Sequence, residues 1–174
     1  ELFDAMKKVF GEHAAIIAED LGYVTDSVKQ LLADTGYPGM KLIEFAFDSR
    51  EGGDYIPYNY TKNCVVYTGT HDNDTLQGWY KAISEEDREY TIEYLNNRET
   101  PVEEIHWDFI RLALSTVADT CVISAQDYLG LGSEARINTP SSIGGNWVWR
   151  MKKGACTRQL SQKILELSKI YGRS

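Results

Sequence analysis

With 174 residues, 43% of them hydrophobic and 25% charged, the chain has the length and composition of one soluble domain with a core of its own. Its 26 acidic residues against 18 Lys and Arg give a formal charge of -8, and no basic stripe breaks that acidity, which argues against a nucleic-acid partner. No run reaches the ~20 apolar residues of a membrane helix. The three scattered cysteines, Cys64, Cys121 and Cys156, lack CxxC spacing and read as free thiols of a reducing, cytoplasmic setting, Cys64 and Cys121 being buried in apolar runs.

Leu2, Phe3, Met6, Val9 and Phe10 fall at helical spacing, and a chain that starts inside a helix without Met suggests a piece of a longer protein. The run Ala14-Ala15-Ile16-Ile17-Ala18, closed by Glu19-Asp20-Leu21-Gly22, predicts a buried strand feeding a loop. Thr25 then predicts an N-cap, with Val28, Leu31 and Leu32 as a core face and Gly36 as the stop. After the Pro38-Gly39 turn, residues 40–47 predict a second strand, and the polar, aromatic stretch 48–63 a long loop of the functional kind.

Residues 64–68 predict the third strand, running into Gly69-Thr70-His71-Asp72-Asn73-Asp74. Ser84 caps a predicted helix over 85–96, and Thr100-Pro101-Val102-Glu103 has capping-box spacing ahead of an apolar face from Phe109 to Val117. The fourth strand spans 120–125 and ends in Gln126-Asp127. A Gly-, Ser- and Asn-rich stretch, with Trp147 and Trp149 alternating as strand residues do, leads to a final helix around 158–171. This order is mostly α/β alternation without a linker or repeat, so residues 1–174 form one unit with parallel strands and helical crossovers.

Strands of such a sheet end on one face, where ligands bind. Glu19-Asp20, Asp48, His71-Asp72 and Gln126-Asp127 are then expected to converge there, a set of carboxylates suited to glycosyl chemistry. Taken singly, Glu19 reads equally as a helix-start charge or a solvated loop acid, and the Thr70–Asp74 run as a polar turn. A metal reading fails because His13, His71 and His106 are far apart without HExxH, a Ser–His–Asp reading because no GxSxG elbow is present, and no Gly-rich phosphate loop for a cofactor occurs. Tyr55, Tyr58, Tyr60 and Trp79 are candidates for stacking on sugar faces, with core packing the commoner use of any one aromatic.

Longer motifs carry more. Ile17-Ala18-Glu19-Asp20-Leu21-Gly22, Gly36-Tyr37-Pro38-Gly39-Met40-Lys41, Phe45-Ala46-Phe47 and Asn59-Tyr60 resemble the amylomaltases, the 4-α-glucanotransferases of glycoside hydrolase family 77. So do Val65-Val66-Tyr67-Thr68-Gly69-Thr70-His71-Asp72-Asn73-Asp74-Thr75, Gly78-Trp79-Tyr80, Gln126-Asp127, Leu129–Gly132, Ser133–Pro140 and Gly145-Asn146-Trp147, in order along the whole chain. The resemblance implies strands five to eight of a TIM (β/α)8 barrel, its C-terminal half, and retaining transfer of α-1,4-glucan segments between maltooligosaccharides without a cofactor.

By resemblance Glu19 is the general acid/base, Asp72 the carboxylate that stabilises the transition state, His71 a sugar ligand at the cleavage point, and Phe45 and Asn138 the lining of the donor site. Glu19 must start protonated and later accept a proton, which leads to the expectation that it is partly buried near like charge. Asp72 must stay ionised beside a developing oxocarbenium ion. The family's nucleophile, an Asp in an Arg-x-Asp-His motif, has no match in these residues, and Thr139-Pro140-Ser141-Ser142 departs from the Gly that tends to follow Pro. A half barrel with open edges is expected to be inactive alone and to associate with another copy or its missing half. A non-catalytic α-glucan-binding module and a hydrolytic retaining α-glycosidase remain alternatives.

Overall fold

The computed structural model describes residues 1–11, 14–22, 24–49 and 53–173. His13 lies outside them. The fold is α/β around a three-stranded parallel sheet in the order β1-β2-β3: β1 (Gly39–Leu42), β2 (Cys64–Tyr67) and β3 (Thr120–Val122). Gly39 pairs with Cys64 and Leu42 with Tyr67, while Val65 and Tyr67 pair with Thr120 and Val122, so β2 is central. Its Cys64, Val65 and Val66 are all buried, as expected of a parallel strand covered on both faces.

The helices are α1 (Leu2–Phe10), α2 (Asp26–Thr35), α3 (Leu76–Ala82), α4 (Glu85–Leu95), α5 (Ile105–Ser115), α6 (Ala125–Tyr128) and α7 (Arg158–Ile170). Helices α3, α4 and α5 form the crossover from β2 to β3. The centre of the core is Phe109 on α5, fully buried, with its ring 5.3 Å from Trp79, 5.7 Å from Phe47 and 5.9 Å from Tyr80. Such offset and edge-on pairs contribute beyond the area they bury. Ser84 caps α4 as its sequence predicts, its hydroxyl accepting from Asp87 N–H at 3.0 Å.

Several elements differ from the sequence reading. Ala14–Ala18 joins no ladder; the segment alternates in exposure, but its tie to the start of β1 is a bond from Ala18 N–H to the Pro38 carbonyl at 2.9 Å. The Asp20 carboxylate takes the Met40 N–H at 2.6 Å, so a side chain stands where a ladder bond would continue. An apolar run has strand composition, yet a buried parallel strand requires neighbours on both sides. The second strand stops at Leu42, because residues 44–47 coil into a 3-10 turn that buries Glu44, Ala46 and Phe47 together.

The fourth strand likewise ends at Val122, since Ser124 caps α6 by accepting from Asp127 N–H. Helix α3 was not anticipated. Thr25 occupies the N-cap position of α2 but pairs its hydroxyl with Ser27 instead of capping. The Thr100 hydroxyl takes the Asn97 amide in place of a capping box, and a 3-10 turn at Val102–Glu104 precedes α5. Described parts of the 48–63 loop contain two more such turns, closed by Asn59 Nδ2 donating to the Gly53 carbonyl at 2.8 Å. Trp147 sits at φ 63 and belongs to no strand. Cys64 is buried as expected, whereas Cys121 is only half-buried and Cys156 exposed; all three are free thiols.

Candidate active-site cleft

A cleft of about 620 Å³ opens at the C-terminal ends of the strands. Leu42 ends β1 there, Tyr67 ends β2 and Val122 ends β3, and the loops that follow furnish Phe45, His71, Asp72 and Ser124. Glu19 and Leu21 line it from the segment that precedes α2. The expected convergence therefore holds for Glu19, His71 and Asp72.

It fails for the other acids. Asp48 borders a separate hollow with Phe47, Ser49, Glu86 and Asp87. Asp127 is buried, accepting from Thr68 Oγ1 at 2.6 Å and Leu76 N–H at 2.8 Å; it ties β2 to the start of α3. Burial raises its carboxyl above the usual range, against those hydrogen bonds. Gln126 is also buried, its amide donating to the Ala135 carbonyl. Nor do the four candidate stacking aromatics line the cleft among the described residues: Tyr55 and Tyr60 are buried, Trp79 packs on Phe109, and Tyr58 is exposed elsewhere.

The Gly69–Asp74 loop is shaped by short-range bonding. Asn73 Oδ1 accepts from both Thr70 N–H, at 2.9 Å, and Thr70 Oγ1, at 2.8 Å, which curls the loop and turns His71 and Asp72 outward. A side chain at Gly69 would crowd Glu44, whose Oε1 lies 3.1 Å from the position a Cβ would take. His71 Nε2 lies 3.3 Å from Asp72 Oδ2, and the Trp147 ring stands 5.1 Å from the imidazole. Asn138 Nδ2 donates to Asp72 Oδ1 at 2.5 Å, and Asn138 N–H to the His71 carbonyl at 3.1 Å.

Two charged residues behind this loop were not anticipated from sequence. Arg136 donates through Nη2 to the Asp72 carbonyl at 2.6 Å and through Nε to the Asn138 carbonyl at 2.8 Å. Glu44 is buried beneath the loop with Oε1 unpartnered among the described residues. Burial, then Asp127 and Asp74, push its carboxyl well above the usual range; Arg136 and a hydrogen bond from Asn73 oppose this. Glu19, expected to be partly buried, is instead exposed, because the segment bearing it is covered on one side only.

The chain matches the model of glycoside hydrolase family 77, 4-alpha-glucanotransferase, over residues 1–157. This chain belongs to the 4-alpha-glucanotransferase family. It is 47% identical over 174 residues to the 4-alpha-glucanotransferase of Clostridium butyricum, covering 99% of this chain and 35% of that protein. Identity is 42% over 175 residues to the chloroplastic/amyloplastic 4-alpha-glucanotransferase of Solanum tuberosum, covering 99% and 30%. The amylomaltase of Streptococcus agalactiae, solved in complex with acarbose, superposes with a TM-score of 0.91 at 38% identity, over 99% of this chain and 34% of that one. The chain thus spans about a third of the length of these 4-alpha-glucanotransferases. Among its described residues no helix is long and apolar enough to cross a membrane.

Proposed function

We propose that the chain supplies strands five to eight of the catalytic (β/α)8 barrel of a 4-alpha-glucanotransferase, with Glu19 as acid/base and Asp72 as transition-state stabiliser. The observation that carries this reading is the gathering of Glu19, His71, Asp72 and Phe45 around one cleft, with Asn138 bonded to the Asp72 carboxylate. Ala14–Ala18 takes the place of strand five and gains its ladder from the preceding strand of the whole barrel. The exposed edges of this partial sheet give it a tendency to self-associate until they are covered. The three free thiols favour a reducing compartment such as the cytoplasm.

In the proposed reaction an α-1,4-glucan lies along the cleft with His71 and Phe45 against the sugar at the cleavage point. Glu19 gives its proton to the glycosidic oxygen as the bond to the anomeric carbon breaks. Positive charge then grows on the sugar ring, and the Asp72 carboxylate, bonded to Asn138 and beside His71, stabilises it. A carboxylate nucleophile takes the anomeric carbon; no Asp of these residues matches its motif, so we place it in the rest of the enzyme and expect this chain alone to be inactive. The 4-hydroxyl of an acceptor glucan then attacks the same carbon, the nucleophile carboxylate leaves it, and Glu19 takes up the proton of that hydroxyl.

The test is to incubate maltotriose with the full-length enzyme and resolve the products by thin-layer chromatography. Glucose together with chains longer than maltotriose is the expected outcome. The Glu19→Gln variant should be slower by about 10²- to 10⁴-fold, the usual contribution of general acid/base catalysis. Glucose and maltose without longer chains would instead identify a hydrolase, and saccharide binding without turnover a binding module.

A further inference from the structure

We infer that Arg136 is a positioning residue for Asp72, holding the backbone from which the carboxylate is aimed into the cleft. The inference rests on the proposed role of Asp72. The Asp72 side chain is 48% exposed on a loop, where a carboxylate has several open rotamers. Transition-state stabilisation by a fixed charge depends on that charge not having to reorganise. Something must therefore hold Asp72 in place.

The hydrogen bonds form a closed ring. Arg136 reaches the carbonyls of Asp72 and Asn138, and Asn138 returns through Nδ2 to the Asp72 carboxylate. The guanidinium fork suits this work, since Nε and Nη2 leave one rigid plane and can tie two acceptors from distant segments at once. Its own backbone is anchored as well. Arg136 N–H donates to the Ser133 carbonyl at 3.1 Å, and the carbonyl of its buried neighbour Ala135 accepts from the buried Gln126 amide at 3.3 Å. The ring is thus braced against α6 and the core, and both Arg136 bonds go to backbone carbonyls, not to the Asp72 carboxylate.

The experiment compares Arg136→Ala, Arg136→Lys and Asp72→Asn in the full-length enzyme with maltotriose, each checked for folding by circular dichroism. For Arg136→Ala kcat should fall about 100-fold, the scale of an ångström-sized misplacement, with KM changed less than threefold. Arg136→Lys can reach one carbonyl but not both, so it should recover part of that loss. Wild-type kcat in a folded Arg136→Ala overturns the inference, as does a rise in KM alone, which would mark a substrate contact. If Arg136→Ala does not fold, the lysine variant decides: reduced kcat at unchanged KM supports the inference, and full kcat overturns it. Full activity in Asp72→Asn would remove the role of Asp72 itself, a failure separable from that of Arg136.

Discussion

Asp72 stands on a loop whose neighbours are anchored in the core, whereas Glu19 stands on a segment that the core barely touches. Behind Asp72 lie β2, the buried Asp127 that pins the start of α3, and the aromatic cluster around Phe109. Before Glu19 lies α1, which buries none of its residues and leaves Leu2, Val9 and Phe10 exposed. The two carboxylates face one cleft, yet only one wall of it is held by these residues themselves. A site can therefore be chemically complete on one side and depend on further packing on the other.

Stability measurements should show this contrast most strongly. Phe109→Ala removes a fully buried ring and three aromatic contacts, so it should cost about 3–5 kcal/mol in urea unfolding. Phe10→Ala removes a ring that is 64% exposed and should stay within about 0.5 kcal/mol. In the full-length enzyme the Phe10 cost should rise if barrel packing covers α1. Equal costs for the two substitutions in the 174-residue chain would break the comparison.

The same asymmetry governed what could be read from sequence. The unbroken Cys64–Val66 run and the Ser84 cap are local signals whose structural outcome is also local. Ala14–Ala18 carries the same apolar signal, but a ladder depends on neighbours, and composition does not supply them. Helix α3 escaped notice because its buried face includes Gln77 and Gly78 as well as Leu76 and Tyr80. Glu19, His71 and Asp72 stood out through ordered motifs. Arg136 did not, since its partner carbonyl belongs to a residue 64 positions away. Nor did Glu44, which a strand over 40–47 would have placed by alternation and which a 3-10 turn buries instead.

Glu44 gives a prediction with a definite sign. In the folded chain burial, Asp127 and Asp74 hold its carboxyl well above the ordinary value, against Arg136 and Asn73. The folded state thus keeps a proton that the unfolded chain has released, and stability falls as pH rises from about 4, the ordinary carboxylate value, toward the raised one. Glu44→Gln removes that slope. Relative to wild type its urea midpoint should climb steadily from pH 4 toward neutrality. Asp127, raised by burial, and His106, lowered by burial, titrate in both proteins and largely cancel in the difference. A difference that does not vary with pH would sink the assignment.

Helix caps should give the smallest effect and the finest form of the comparison. Thr75, Ser84, Ser124 and Thr157 each accept a backbone N–H at the start of their helices, while the N-cap residues of α1 and α2 make no side-chain cap bond. Thr75 is buried directly after the Gly69–Asp74 loop, and its hydroxyl accepts from Gly78 N–H at 3.1 Å. Its loss in Thr75→Ala leaves that donor without a partner where water cannot readily replace it, at a cost of about 1 kcal/mol. Thr25 lies in the same position on α2, but its hydroxyl is engaged with Ser27 at 2.9 Å on the surface. Thr25→Ala should accordingly change stability by only about 0.3 kcal/mol, within the range of ordinary surface substitutions. Urea titrations of the two variants side by side check this. A Thr25 cost matching that of Thr75 would show that α2 is held as firmly as the helices behind Asp72, and that the weakness of the Glu19 wall begins no further along the chain than α1.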